Sequence, residues 1–136
     1  MYRKDHLLKE AQRMAQMIAK LLGLKNVAGK EDEFKQVFDD TLLSDFDIRT
    51  EELLALDLKD FDLWLKRNNF NAEKLDTLAQ LLYMHAEPFK AETPVIAQLH
   101  KVLLVFELLE KEHHWQSFEN IGKRQIIQQY LKQHNA

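Results

Sequence analysis

The sequence contains no cysteine and very little glycine or proline, with three and two residues in a chain of 136. Without cysteine, disulfides, thiolate chemistry and metal sites built on cysteine sulfur are excluded. Three glycines give almost nothing from which to build a backbone cradle for phosphates. The scarcity of both loop formers, beside plentiful Leu, Lys, Glu, Gln and Ala, favours helix. No stretch alternates polar and apolar residues as a strand would, so the composition predicts an all-α protein.

Charge is unevenly distributed along the chain. Residues 31–76 carry fourteen acidic residues against six basic ones, whereas residues 1–25 carry six basic residues against two acidic ones. Phosphate binding needs a concentrated basic face, so the acidic middle argues against nucleic acid as a partner. Opposite charges at this separation are typical of solvated faces that attract each other within a fold.

Apolar residues recur at helical spacing over most of the chain. The first helix should end at Gly23, a residue suited to the position after a helix, and its apolar arc begins at Leu7. Residues 44–69 read as short helices started by Thr50 and by Asp57 or Asp60, and Asn71 should cap the next long one. The longer predicted helices run over Tyr2–Leu22, Glu31–Leu43, Ala72–Pro88, Thr93–Glu112 and Phe118–Gln133.

The predicted helix Thr93–Glu112 is apolar on two faces, and we expect it in the middle of the packing. Thr93 suits the N-cap and Pro94 the first helical position. Its length would cross a bilayer, but polar residues within it would be costly in lipid, so a membrane span is not expected. One face must be covered by the last helix, Phe118–Gln133, or by a second copy of the chain. The candidate interface residues on that face are Ala97, Leu104, Val105 and Leu108.

A small-ligand pocket is the main alternative use of this helix. If the two long helices pack antiparallel, Tyr83, His85 and His100 should lie close together, and such a cluster could hold a small ligand in a sensor or an enzyme. The same residues are also typical of the amphipathic edge of a core. The sequence leaves both interpretations open.

No metal, cofactor or catalytic residue is predicted. The spacing Glu110-x-x-His113 is half of a di-metal carboxylate motif, but the chain contains no second copy. Asp57, Asp60 and Asp62 are crowded, yet a capping turn explains them. No nucleophile elbow, phosphate loop or zinc-protease signature is present.

Two groups of residues resemble known helical families. Leu78-Ala79-x-x-Leu82-Tyr83-x-x-Ala86, followed by a second helix, resembles the first half of a tetratricopeptide unit, of which one copy is visible. Over most of its length the chain resembles an uncharacterised bacterial family of small all-helical proteins. The residues that carry this likeness are Tyr2-x-x-Asp5-x-x-Leu8, Ile18, Gly23-Leu24, Thr50-x-x-Leu53-Leu54 and Lys74-Leu75-x-x-Leu78-Ala79-x-Leu81-Leu82-Tyr83. The resemblance implies a tetratricopeptide-like fold and assigns no activity.

Together these observations predict one all-α domain spanning residues 1–136. It should contain about six helices arranged as successive antiparallel hairpins, either tetratricopeptide-like or an irregular helical bundle. The predicted function is a non-enzymatic protein-interaction or scaffold domain in the cytoplasm. We expect a homo-oligomer, a dimer, or a complex with another protein, because a helix apolar on two sides in a small domain needs a partner.

Overall fold

The computed structural model describes residues 2–90 and 93–134, with side chains from Leu8 onward. Over these residues the chain is helical outside its turns and contains no strand, which confirms the all-α class. The predicted inward side chain of Leu7 lies outside the described side chains. Seven helices are present where about six were predicted: α1 Tyr2–Lys25, α2 Glu31–Phe46, α3 Thr50–Ala55, α4 Leu58–Asn68, α5 Ala72–Ala86, α6 Thr93–His113 and α7 Phe118–Gln133.

The chain folds into two compact units, residues 1–53 and residues 54–136. In the first unit, α1 and α2 form a hairpin. Near its turn, Lys25 Nζ lies 5.5 Å from the centre of the Phe34 ring. Farther from the turn, Arg13 Nη2 donates to Asp45 Oδ1 over 2.8 Å. These two contacts join early α2 to late α1 and late α2 to the middle of α1, so the helices run antiparallel. The antiparallel hairpin predicted for these two helices is therefore present. The prediction of a single domain stays a prediction.

Gly23 does not end the first helix, contrary to the prediction. The helix continues to Lys25, which brings that ammonium group over the face of Phe34. A glycine inside a helix costs about 1 kcal/mol relative to alanine. The added helical residues and the contact of Lys25 with Phe34 can offset this penalty. The left-handed residue of the turn is Gly29 instead, with φ of +84°. The contact of Lys25 with α2 therefore outweighs the low helix propensity of Gly23 in setting the end of α1.

The second unit is built from α4, α5, α6 and α7, and α6 contacts the other three. The pairing of α5 with α6 is the most extensive in the chain. Near their connection, Gln98 Nε2 lies 3.0 Å from His85 Nδ1, and at the far end Leu75 and Leu108 line a common cleft. The two helices are therefore antiparallel, as predicted.

Side-chain caps set the start of three helices in the second unit. Asp57 Oδ1 accepts from the backbone N–H of Asp60, and Asn71 Oδ1 accepts from Lys74. Asn71 was predicted as a cap, and Asp57 was one of the two alternatives, Asp57 or Asp60, predicted for α4. Ser117 Oγ does the same for Asn120 at the start of α7. The helix predicted from Thr93 begins at that residue itself, so Thr93 belongs to α6.

The core of the second unit lies around α5. Five buried residues of α5 lie on the face that its helical period predicts as inward: Leu75, Leu78, Ala79, Leu82 and Ala86. Leu81, Tyr83 and Met84 lie outside that face and are buried as well. In α6, the apolar face that does not carry the candidate interface supplies Leu99, Val102, Phe106 and Leu109 to the core. None of the helices within residues 2–90 and 93–134 combines the length and apolar character that a bilayer-spanning segment requires.

Candidate functional site

The predicted interface residues on α6 differ in exposure. Ala97 is exposed and Leu104 and Leu108 are half-buried, whereas Val105 is fully buried. The side chain of Val105 is thus not available to a partner at the surface. At about 100° per residue, Ala97, Leu104 and Leu108 form a strip along one edge of the buried arc of α6.

Helix α4 is the neighbour on the side of α6 that carries Leu108. Leu108 lines a cleft together with Leu65 and Lys66 of α4, and Leu75 of α5 closes its inner end. The cover on this side was expected from α7 or from another copy of the chain. In the structure α4 covers this side of α6 instead. The cover is incomplete because the cleft between the two helices is open to solvent.

This cleft, the α4–α6 cleft, has a volume of about 80 Å³. Leu65, Leu75 and the ring of Phe70 contribute apolar atoms to its lining. The ring of Phe70 packs edge-on against Trp64 with 5.3 Å between the ring centres. Polar side chains complete the lining: Lys66, Asn69, Glu112 and His113. The volume is well below the roughly 300–1,000 Å³ of typical small-molecule pockets.

The outward side of α7 carries three exposed apolar side chains among polar ones. Phe118, the first residue of the helix, is 95% exposed, and Ile121 and Ile126 are 38% and 52% exposed. Glu119, Gln125, Gln128 and Gln129 are exposed on this helix as well. The opposite side of α7 is packed, with Ile127 fully buried.

Tyr83 and His85 of the predicted ligand pocket have different surroundings. Tyr83 is buried edge-on against Phe89, and Lys123 Nζ lies 5.1 Å from the centre of its ring. Burial, followed by the nearby charge of Glu87, raises the pKa of Tyr83. His85 lies beside Gln98 of α6 instead.

The helical period explains why these side chains diverge. Tyr83 and His85 are two residues apart on α5, which places them about 200° apart around its axis. The same separation divides Gln98, the neighbour of His85, from His100 on α6. The described contacts therefore do not bring Tyr83, His85 and His100 together.

Lys101 is a buried charged residue that the sequence did not reveal as such. Its side chain is 1% exposed, its Nζ donates to the carbonyl oxygen of Leu54 over 3.0 Å, and it lies 6.0 Å from the centre of the Phe61 ring. Burial lowers the pKa of Lys101, with partial opposition from the charge of Asp57. A lysine with a lowered pKa can be a nucleophile, but this one is enclosed by protein and serves the packing of α6.

A second polar cluster, also unpredicted, joins α5 to α7. Asn120 is buried, donates to Asp76 Oδ1 over 2.8 Å, and accepts from Gln80 Nε2 at the same distance. Lys123 Nζ donates to Gln80 Oε1 and to Glu119 Oε1. These bonds satisfy the buried amide and fix the register of the two helices. The spacing of Asn120 and Lys123 places both on one side of α7, and this was the only sign of the cluster that the sequence offered. It did not identify Asp76 and Gln80 as their partners.

The acidic and histidine residues considered as metal ligands have protein neighbours. Glu110 Oε1 accepts from Arg124 Nη1 at 2.5 Å, and His113 lines the α4–α6 cleft. Asp57 caps α4, and Asp62 pairs with Lys66 over 3.0 Å. Within the described part of the chain, no three carboxylate or imidazole side chains gather as a metal site would require.

Comparison with protein families, with curated proteins and with solved structures finds no match for this chain. The features available for a functional argument are therefore those of the molecule itself. Two of them lie at the same end of the second unit: the α4–α6 cleft, which reaches His113, and the exposed ring of Phe118 five residues farther along.

Proposed function

We propose that this chain is a non-enzymatic protein-interaction or scaffold domain that associates with itself. The observation that supports the proposal is the ring of Phe118, which is 95% exposed at the first position of α7. Burying an aromatic ring removes about 150–250 Å² of surface from water, which favours contact with a second copy or another protein.

A tetratricopeptide-like role is part of the same proposal. The residues that carry the resemblance lie on α5, and Leu78, Ala79, Leu82, Tyr83 and Ala86 are all buried. Helical hairpin repeats use such positions to pack one helix against its neighbours and leave outer helix faces for partners. The likeness to the bacterial family of small helical proteins and a cytoplasmic location belong to this proposal as well.

The polar side chains of the second unit support a structural role over a catalytic one. Lys101 and Asn120, the two most conspicuous buried polar residues, bind the backbone or side chains of neighbouring elements. Catalysis needs groups that a substrate can reach. The proposed function accordingly assigns no catalytic residue and no cofactor.

Sedimentation velocity tests the proposal on the full chain, at concentrations from about 1 to 300 µM, a range that covers weak homodimers. We expect the weight-average mass to rise with concentration from one copy towards two. A strict monomer over the whole range would remove self-association. Retained binding to other proteins would then have to be shown separately with purified partners.

A further inference from the structure

We infer that α7 is a strap that opens and closes on the second unit as one cooperative element, while α4, α5 and α6 stay folded. The inference goes beyond the proposed function and does not depend on self-association. The elements of a folded protein need not open together, because each is held by its own set of contacts. The contacts that attach α7 to α5 and α6 are of a different kind from those that hold the other helices.

Few apolar side chains hold α7 in place. Of its sixteen residues, all of which the structure describes, three are buried: Asn120, Ile127 and Leu131. One of these is polar, so two apolar anchors serve a helix of about four turns. Helix α4 buries three large apolar side chains among eleven residues, and α5 buries nine of its fifteen residues. Apolar burial is the main favourable term in folding, so α7 is the most weakly held of these helices.

Polar side chains make most of the other attachments of α7. Near its start, Asn120 donates to Asp76 Oδ1 over 2.8 Å and accepts from Gln80 Nε2 at the same distance. One turn later, Arg124 Nη1 lies 2.5 Å from Glu110 Oε1, and both side chains of this pair are 26% exposed. Water can replace such partners when the helix separates, whereas it cannot replace an apolar contact. These attachments therefore oppose opening less than an apolar interface of the same length.

The two ends of α7 are attached to non-helical segments. Residues 114–117 join it to α6, and the backbone leaves the helical path at His114, whose φ is +52°. Near the other end, the Tyr130 hydroxyl donates to the carbonyl of Lys90, and the Tyr130 ring packs edge-on against Phe89 with 5.3 Å between the ring centres. A few loop residues can absorb the rotation of a hinge. The strap can therefore swing about residues 114–117 without disturbing α6.

Opening of the strap uncovers two aromatic rings of the core. Tyr83 is 7% exposed, and Lys123 Nζ lies 5.1 Å from the centre of its ring. Phe106 is 2% exposed, and the Arg124 guanidinium lies 5.9 Å from the centre of its ring. Two adjacent cations of α7 thus cover one ring on α5 and one on α6. The position of the strap controls the exposure of both rings.

Hydrogen exchange followed by mass spectrometry tests the strap on the full chain. The measurement uses the lowest concentration of the sedimentation series and several urea concentrations below the unfolding transition. We expect the amides of residues 122–133 to exchange at least about tenfold faster than the slowest amides of α5. Their exchange should also respond less to urea, because the opening of one helix exposes less surface than the unfolding of the whole unit.

A methionine pair tests the ionic attachment. Arg124→Met keeps an unbranched stem and removes the charged contact with Glu110. We expect the protection of α7 to fall at least about threefold, while the slowest amides of α5 stay within about twofold. Gln125→Met is the matched control, because it places the same side chain at the next position, which is exposed. It should leave the protection of α7 within about twofold.

An alanine pair tests whether α7 opens as one unit or frays from its C-terminal end. Asn120→Ala removes the bonds to Asp76 and Gln80 near the start of the helix. A strap that opens as a unit should then lose protection along its whole length, by at least about fivefold, including the amide of Tyr130 near its other end. Gln128→Ala, at an exposed position of the same helix, should change the protection by about twofold or less.

Four results would overturn the inference. Equal protection of α5 and α7 at every urea concentration would make the second unit a single cooperative body. In Asn120→Ala, a loss confined to the first turn, with protection that declines steadily towards Gln133, would mean fraying. A loss in α5 as large as that in α7 would mean that the helix does not open independently. Unchanged protection of α7 in both Asn120→Ala and Arg124→Met would mean that these contacts do not hold it.

Discussion

The two long hairpins of this protein share an antiparallel topology but bury very different shares of their residues. Nine of the fifteen residues of α5 are buried, and α6 contacts α4 and α7 as well as α5. Among the described side chains of α1, only Met14 and Leu21 are buried. A helix with neighbours on several sides needs apolar residues around its axis, whereas one with a single main neighbour carries charges elsewhere. Hairpin topology therefore says little about how a hairpin is stabilised.

The largest effect should come from the core of the α5/α6 hairpin. Leu82 is 0% exposed, and Leu82→Ala should lower the free energy of unfolding by about 2–5 kcal/mol, through lost burial and the cavity left behind. Urea denaturation followed by circular dichroism measures the change. Leu63→Ala on α4 is the control, because Leu63 is 55% exposed and its truncation should cost about 0.5 kcal/mol or less. Equal losses in the two variants would contradict the burial contrast.

An intermediate effect is expected from Lys101, the buried charge of the same hairpin. Its pKa is lower in the folded chain than in the unfolded one, so its charged form opposes folding. That penalty is fully present at pH values below the folded pKa. It is relieved as the pH rises towards 10.5, where the unfolded lysine also loses its proton.

Lys101→Met should abolish this pH-dependent increment. At neutral pH we expect the variant to lie within about 1 kcal/mol of the unmodified chain, because the lost bond to the Leu54 carbonyl offsets the relief from burying a charge. As the pH rises towards 10.5, the unmodified chain should gain stability relative to the variant, by about 1.4 kcal/mol per pH unit at most. Urea denaturation at several pH values gives the difference. A difference independent of pH would show that this amine does not titrate in that window.

The smallest effect should come from the ion pair of the α1/α2 hairpin. Arg13 and Asp45 form a two-bond contact, and this hydrogen bond raises the pKa of Arg13. The Asp45 side chain is 8% exposed but that of Arg13 is 46% exposed, so solvent screens the pair. A double-mutant cycle with Arg13→Gln and Asp45→Asn should give a coupling energy of about 0.2–1 kcal/mol.

Salt provides the control for this coupling. The coupling energy should fall when the cycle is repeated in about 1 M sodium chloride, where the screening length is about 3 Å. A coupling above about 2 kcal/mol that does not respond to salt would mean that the α1/α2 hairpin is held by a buried pair. The contrast with the α5/α6 hairpin would then largely disappear.

Sequence reasoning succeeded where a feature depends on residues close in the chain. Asp57 and Asn71 were recognisable as caps because the acceptor and the bonded N–H are three residues apart. The span of α7, predicted from Phe118 to about Gln133, agrees with the helix Phe118–Gln133 of the structure. The burial of α5 on one face followed from its period.

Features that depend on distant residues could not be predicted in the same way. Gly23 was assigned to a helix end because the contact of Lys25 with Phe34 is not visible in local propensity. The burial of Lys101 was not predicted, since nothing near it in the chain indicates a bond to a carbonyl 47 residues earlier. The candidate site has the same character, because α4 approaches Leu108 from more than 40 positions away.

The two tryptophans of the chain provide optical reporters for the cleft. Trp64 is 7% exposed and contacts Phe70, a wall of the cleft, while Trp115 lies between His113 and Phe118, with its backbone N–H bonded to the carbonyl of Leu109. Indole emission responds to nearby polarity, so a change in the surroundings of the cleft should alter the tryptophan emission without any added label. Trp64→Phe and Trp115→Phe would tell the two signals apart, one from the residue that packs on a wall of the cleft and one from the segment between α6 and α7.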